Sequence, residues 1–156
     1  MLSSNILLPL ISLVATTTSA GKVFTGAAYT VNTLAVGNSA EGKFTLSFLV
    51  KDPEPLAPTT ATCGTTWTGP AFPTQWIPCE TNSVDFKLNS FKDIEDFEIQ
   101  VKHSYRDPSV GKPPQDKVTT FAQAAFSAPE NLTCSDSSCT LTVKGSALLP
   151  VWAAVA

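Results

Sequence analysis

The chain contains a single histidine, and this scarcity limits the catalytic chemistry that the sequence can support. A Ser-His-Asp set would have to use His103, and no Gly-x-Ser-x-Gly sequence is present to place a nucleophile. The spacing of the four cysteines does not give the Cys-x-x-Cys or Cys/His pairs of a zinc site. We interpret His103 as a packed histidine, and we predict no catalytic residue, no metal and no cofactor.

Basic residues are also scarce. Ten Lys and Arg residues stand against 13 Asp and Glu residues, which gives a formal net charge of -3. No basic patch and no glycine-rich nucleotide-binding sequence is visible. Nucleic acid and an anionic membrane surface are therefore not expected as partners.

Helical periodicity is absent, and the 12 prolines favour strands and loops. In Asp96–Arg106 apolar and polar residues alternate strictly, which is the period of a strand. One apolar face and one charged face are typical of an antiparallel sheet that covers a core. We expect this segment to be a central strand.

Further strand candidates follow along the chain: 24–36, 43–51, 59–63, 83–88, 118–126, a hairpin within 132–143, and 146–156. Proline-rich and polar segments separate them, among them 52–58 and 107–117. The predicted fold class is therefore all-β, an antiparallel barrel or sandwich.

The N-terminus has the pattern of an export signal. Ile6–Val14 is largely apolar but too short to span a bilayer. Thr18 and Ala20 supply the small residues of a cleavage site after Ala20, although Met1–Asn5 lacks a basic residue. We predict a signal peptide over residues 1–20 and one secreted domain over residues 21–156.

The apolar segment Ser146–Ala156 has two interpretations. The hydrophobic tail of a lipid-anchor signal would need a polar spacer before it, and none is present. We therefore expect a last buried strand that closes the barrel, with Pro150 at an edge or a bulge.

All four cysteines follow residue 20, and an even number in an exported protein predicts disulfide bonds. Four cysteines permit three pairings, of which Cys63 with Cys79 and Cys134 with Cys139 is the most local. Asn131-Leu-Thr133 is an acceptor sequence for N-glycosylation, which we expect in a surface loop.

The segment 64–78 carries Trp67, Phe72 and Trp76 among prolines, glycines and threonines. Aromatic side chains on a tied loop can anchor a protein partner or stack on sugars, so these three are the candidate binding surface. The alternative is that they cap the core, Trp76 in particular. A separate acidic group, Asp93 to Glu98, is interpreted as a solvated edge rather than a catalytic pair.

Taken together, these features resemble the Alternaria major-allergen family of small secreted fungal β-barrel proteins, many of which act as effectors or elicitors in plants. The similarity covers essentially the whole chain after the export signal. The matching segments are Tyr29–Leu34, Glu41–Val50, Thr62-Cys63, Trp76–Glu80, Val84–Leu88, His103-Ser-Tyr105, Asn131–Cys134 and Cys139.

The resemblance implies the pairs Cys63–Cys79 and Cys134–Cys139 and the antiparallel barrel of the family. It also implies a secreted, non-enzymatic protein that binds plant extracellular proteins or defence components, and possible binding of a small phenolic ligand. The allergen of the family has an additional early cysteine that links two subunits. No cysteine lies between Gly21 and Thr62 here, so a covalent dimer is not expected.

Two further hypotheses come from other classes. Trp67 and Trp76 suggest a carbohydrate-binding module for wall polymers. A small hydrolase that uses the acidic group would require two carboxylates that face each other across a cleft.

Overall fold

The computed structural model describes residues 27–142 and 146–156, which form ten strands and contain no helix. The strands are β1 (Ala28–Asn38), β2 (Lys43–Asp52), β3 (Thr59–Thr68), β4 (Ile77–Pro78), β5 (Val84–Asp93), β6 (Asp96–Arg106), β7 (Lys117–Ser127), β8 (Leu132–Ser135), β9 (Ser138–Leu141) and β10 (Ser146–Val155). The antiparallel all-β prediction is confirmed. The expected export signal lies outside the described residues.

β6 is central, as its alternation predicted. It pairs with β5 on one side and β7 on the other. Phe97, Ile99 and Val101 are at most 1% exposed and belong to the hydrophobic core cluster. Across the interior, Phe48 of β2 meets Phe86 of β5 edge-on at 5.2 Å. Burial of these large apolar side chains is the main source of stability.

Most of the strands form one continuous sheet, in the order β3-β2-β1-β10-β7-β6-β5-β4. β10 joins its two halves, because residues 146–150 pair with β1 while residues 151–155 pair with β7. Pro150 lies where the partner changes, next to a register shift between Val151 and Ala153. A residue without an N–H is tolerated at such a position, as the sequence predicted.

β1 also changes partner along its length. Its first half pairs with β10 and its second half with β9. The change coincides with a register shift between Asn32 and Ala35, where Thr33 has a positive φ of 49°. A bulge of this kind bends and twists the strand, and it turns β1 toward the β8–β9 hairpin.

Two disulfide bonds fix this sheet. Cys63 on β3 bonds Cys79 beside β4, and therefore joins the two ends of the sheet order into a nearly closed barrel. Glu80 N donates to Thr62 O at 2.9 Å across the same junction. Cys134 and Cys139 face each other in the β8–β9 hairpin. Both pairs are those that the resemblance implied, and they use all four cysteines of the chain.

Three elements differ from the sequence prediction. β3 continues to Thr68, since the threonine-rich segment after Cys63 pairs with the first half of β2. β5 extends to Asp93, which leaves only Ile94 and Glu95 as the turn into β6. β4 is a short strand inside the predicted aromatic loop, and its two residues pair with β5.

Candidate functional site

Trp67 and Phe72, two of the three residues of the predicted binding surface, pack against the core. Trp67 stands opposite Phe44 in the β2–β3 ladder, and the two rings stack with centroids 5.4 Å apart. Phe91 of β5 contacts Trp67 edge-on at 5.0 Å and Phe72 at 6.3 Å. These contacts give both residues a packing role, which was the alternative interpretation from the sequence.

Trp76 lies elsewhere, on the outer face of the sheet. Its neighbour Ile77 pairs with the fully buried Phe86 and packs against the core, so strand alternation turns Trp76 outward. The ring of Trp76 is half-buried and lies 6.0 Å from Phe121 of β7. The expectation that Trp76 caps the core beneath the disulfide is therefore wrong.

Trp76, Phe121 and Trp152 form a row of rings across the outside of the barrel, which we call the aromatic wall. The centroids of Phe121 and Trp152 are 5.9 Å apart. Trp152 is 57% exposed, and on the same strand Leu148 is 66% and Val155 57% exposed. Large exposed apolar side chains next to a row of aromatic rings are candidates for an interaction site.

Two lysines flank the Trp76 end of the wall. Lys102 Nζ lies 4.7 Å and Lys87 Nζ 5.2 Å from the centroid of the Trp76 ring. Such cation–π contacts orient the ring and place positive charge beside it. Lys102 also pairs with Asp85, with 3.3 Å between Nζ and Oδ2.

Sequence reasoning did not find Phe121 and Trp152. The alternation of β7 contained the signal, because Phe121 lies between the inward positions Thr120 and Ala122. Trp152 lies in a largely apolar segment, in which no alternation of polar residues indicates the side chains that face solvent. The register of β10 with β7, which brings Trp152 beside Phe121, depends on contacts distant in sequence.

His103 is buried, as predicted, with 1% of its surface exposed. Its Nδ1 lies 2.8 Å from Asp52 Oδ2, and its Nε2 lies 3.2 Å from Thr59 Oγ1. Thr59, His103 and Asp52 thus follow the order of a catalytic triad, namely a hydroxyl, an imidazole base and a carboxylate. However, the Thr59 hydroxyl donates to Ala57 O at 3.0 Å, and the space around the three leaves no room for a substrate. The arrangement satisfies buried polar groups.

A cavity of about 340 Å³ opens at the same end of the barrel as this cluster. Its floor includes Tyr29, whose hydroxyl hydrogen-bonds that of Thr120. Burial raises the pKa of Tyr29 above its usual value, and the negative charge of Asp52 adds to the effect. Burial, then the charge of Glu54, raises the pKa of Tyr105 to about 12.

Asn131 lies in the turn before β8, half-buried. Its Oδ1 accepts a hydrogen bond from Ser127 N at 2.7 Å, and its Nδ2 donates to Ala125 O at 3.1 Å. The side chain thus closes the turn between β7 and β8. Glycosylation of Asn131 stays a prediction.

The acidic group lies at the β5–β6 turn. Asp93 Oδ1 accepts from Glu95 N at 2.8 Å, and Asp96 pairs with Lys92. Among the described residues, no group of three or more His, Cys, Asp and Glu side chains could hold a metal ion. Within the same residues, no helix is long and apolar enough to cross a membrane.

No protein-family profile, curated protein or solved structure matches the chain.

Proposed function

We propose that this protein is a secreted binding protein of the effector or elicitor type, without enzymatic activity, that engages an extracellular protein of a plant host. The observation that carries the proposal is the aromatic wall of Trp76, Phe121 and Trp152, together with the exposed Leu148 and Val155 on the strand of Trp152. Tryptophan side chains in apolar surroundings dominate the binding energy of many protein interfaces. The resemblance to the secreted fungal barrels supports the choice of host.

Other features of the molecule agree with this function. Two disulfide bonds indicate an oxidising compartment. His103 itself is 1% exposed, and the space between it and Thr59 has no room for a substrate. Lys87 and Lys102 beside Trp76 favour a partner surface that combines apolar and acidic side chains.

The carbohydrate-binding hypothesis has less support. Trp67 and Trp76, on which it was based, lie in separate clusters. The rings of the wall are inclined by 55° and 45° from one to the next, so they do not form one flat stacking surface. Binding of a small phenolic ligand stays a prediction of the resemblance.

Replacement of Trp152 by alanine tests the proposal. Proteins of plant extracellular fluid are captured on the immobilised wild-type protein, and the captured partner is purified and titrated by calorimetry. We expect Trp152→Ala to raise the Kd at least about thirtyfold, because truncation of a central anchor costs about 2 kcal/mol or more.

Leu56→Ala is the matched control. Leu56 is 56% exposed and Trp152 is 57% exposed, but Leu56 lies in the loop after β2 and not on the wall. This variant should bind as the wild type does. Equal affinity of Trp152→Ala and the wild type would refute the aromatic wall as the interface. Retention of plant wall polysaccharide, lost in Trp152→Ala and without any protein partner, would favour the carbohydrate hypothesis instead.

A further inference from the structure

The cavity near Tyr29 has a lining that combines apolar walls with two carboxylates. It lies where β1 begins and β2 ends, and its volume is about 340 Å³. This is within the usual range for small-ligand sites. The lining consists of Ala27, Ala28, Tyr29, Asp52, Pro53, Glu54, Pro55, Thr120, Leu148 and Val151. None of these described lining residues is a lysine or an arginine.

The floor of the cavity is rigid because its polar groups are already held in place. Tyr29, Asp52 and Thr120 are 2%, 7% and 5% exposed. Asp52 Oδ1 accepts from Glu54 N at 2.9 Å, and Asp52 Oδ2 accepts from His103 Nδ1 at 2.8 Å. A floor fixed in this way is preorganised, so a ligand that fits it loses little free energy to reordering.

Glu54 is the more accessible of the two carboxylates. It is half-buried, and its Oε1 accepts a long hydrogen bond, 3.3 Å from Leu56 N. Its carboxylate is also a hydrogen-bond partner of the Tyr105 side chain, and its negative charge and this bond both contribute to the raised pKa of Tyr105. An ionised carboxylate accepts several hydrogen bonds, so Glu54 retains acceptor capacity toward the cavity.

We propose that this cavity binds an alkylammonium group, with the aliphatic stem along Leu148 and Val151 and the charged head at Glu54, where Asp52 adds negative potential. An anionic ligand would meet two carboxylates, and a purely apolar ligand would bring no cation to Glu54. The same chemistry occurs in a free short-chain amine and in a lysine side chain, whose stem prefers apolar surfaces while its ammonium group seeks oxygen ligands. This inference does not depend on the aromatic wall.

Calorimetric titration of the full chain with three probes of equal stem length tests the proposal. The probes are hexylamine, hexanol and hexanoate at neutral pH. We expect hexylamine to bind at least about fivefold more tightly than hexanol, the ratio that a partly shielded ion pair supports, and hexanoate to bind more weakly than either. Amide NMR shifts should be largest at Ala28, Leu148 and Val151.

The isosteric variant Glu54→Gln should remove most of the preference for hexylamine over hexanol. Glu95→Gln is the matched control, because Glu95 lies at the β5–β6 turn outside the cavity lining. Its probe affinities should equal those of the wild type. An amide spectrum of each variant establishes that it is folded.

The source of the ammonium group is decided by a second ligand, Nα-acetyl-lysine methylamide. If this compound shifts the same amides, a lysine side chain can occupy the cavity. If hexylamine binds and this compound does not, the ligand is a small free amine. Three results would overturn the proposal: hexanol or p-cresol binding as tightly as hexylamine, an amine preference that survives in Glu54→Gln, or no binding of hexylamine up to millimolar concentration. Since none of these measurements involves a plant protein, failure here leaves the proposed function standing.

Discussion

At the scale of single residues, the two tyrosines of the chain are the most direct probes of its barrel end. Burial raises the pKa of Tyr29 above its usual value, and burial together with Glu54 raises that of Tyr105 to about 12. A tyrosine in an unfolded chain titrates at about pH 10. We therefore expect very little tyrosinate in the folded protein at about pH 10, measured by near-ultraviolet absorbance, and about half ionisation in concentrated urea.

The same shifts make stability depend on alkaline pH. Ionisation favours the unfolded state once pH exceeds about 10, so the stabilisation from Tyr105 is complete below about pH 10 and is lost as pH rises through about 12. In Tyr105→Phe only Tyr29 remains, and its ionisation should coincide with unfolding. Half ionisation of both tyrosines in the folded wild type at about pH 10 would show that this end of the barrel is open to solvent.

At the scale of elements, the two disulfide bonds have unequal tasks. Cys63 and Cys79 are separated by 16 residues and join the ends of the sheet. Cys134 and Cys139 are separated by five residues within a hairpin that backbone pairing already holds. Loop-closure entropy gives about 3 kcal/mol for the longer loop and about 2 kcal/mol for the shorter. Urea unfolding should therefore show the larger loss for the double variant Cys63→Ala/Cys79→Ala.

Hydrogen exchange separates the two tasks further. Loss of Cys63–Cys79 should increase exchange at Glu80 N, which bonds Thr62 O across the junction. Loss of Cys134–Cys139 should affect β8 and β9 alone. Equal stability of the two double variants, with exchange at Glu80 N unchanged by the loss of Cys63–Cys79, would show that this disulfide has no part in closing the barrel.

Alternation of apolar and polar residues was enough to predict the strands that have one clearly apolar face. β2 and β6 have a clear inward set, and both lie in the sheet as predicted. β4 was not predicted, because two residues, one of them proline, carry no period. The partner changes of β1 and β10 depend on a bulge at Thr33 and on pairing between distant segments, which local patterns do not encode. Trp76 was misplaced for the same reason, since its side is set by Ile77 in β4.

At the scale of the whole molecule, β10 is the strand on which both halves of the sheet depend. It pairs with β1 and with β7, and no other strand among the described residues joins these two. The prediction that the last segment is a strand is confirmed, but β10 lies inside the sheet order and only Leu149 in it is fully buried, whereas the ends that close the barrel are β3 and β4. A change in the core contacts of β10 should therefore weaken both halves together, whereas a change on its outer side should not.

Two adjacent leucines of β10 provide a matched test of this dependence. Leu149 is fully buried and Leu148 is 66% exposed. Leu149→Ala should reduce the free energy of unfolding by about 3 kcal/mol, because it removes buried methyl groups and leaves a cavity. Leu148→Ala should change it by less than about 0.5 kcal/mol, as is usual for surface positions. In Leu149→Ala, amide exchange in β2 and in β6 should accelerate by the same factor, since these strands lie on opposite sides of β10. Acceleration confined to one half would show that the halves unfold independently and that β10 does not couple them.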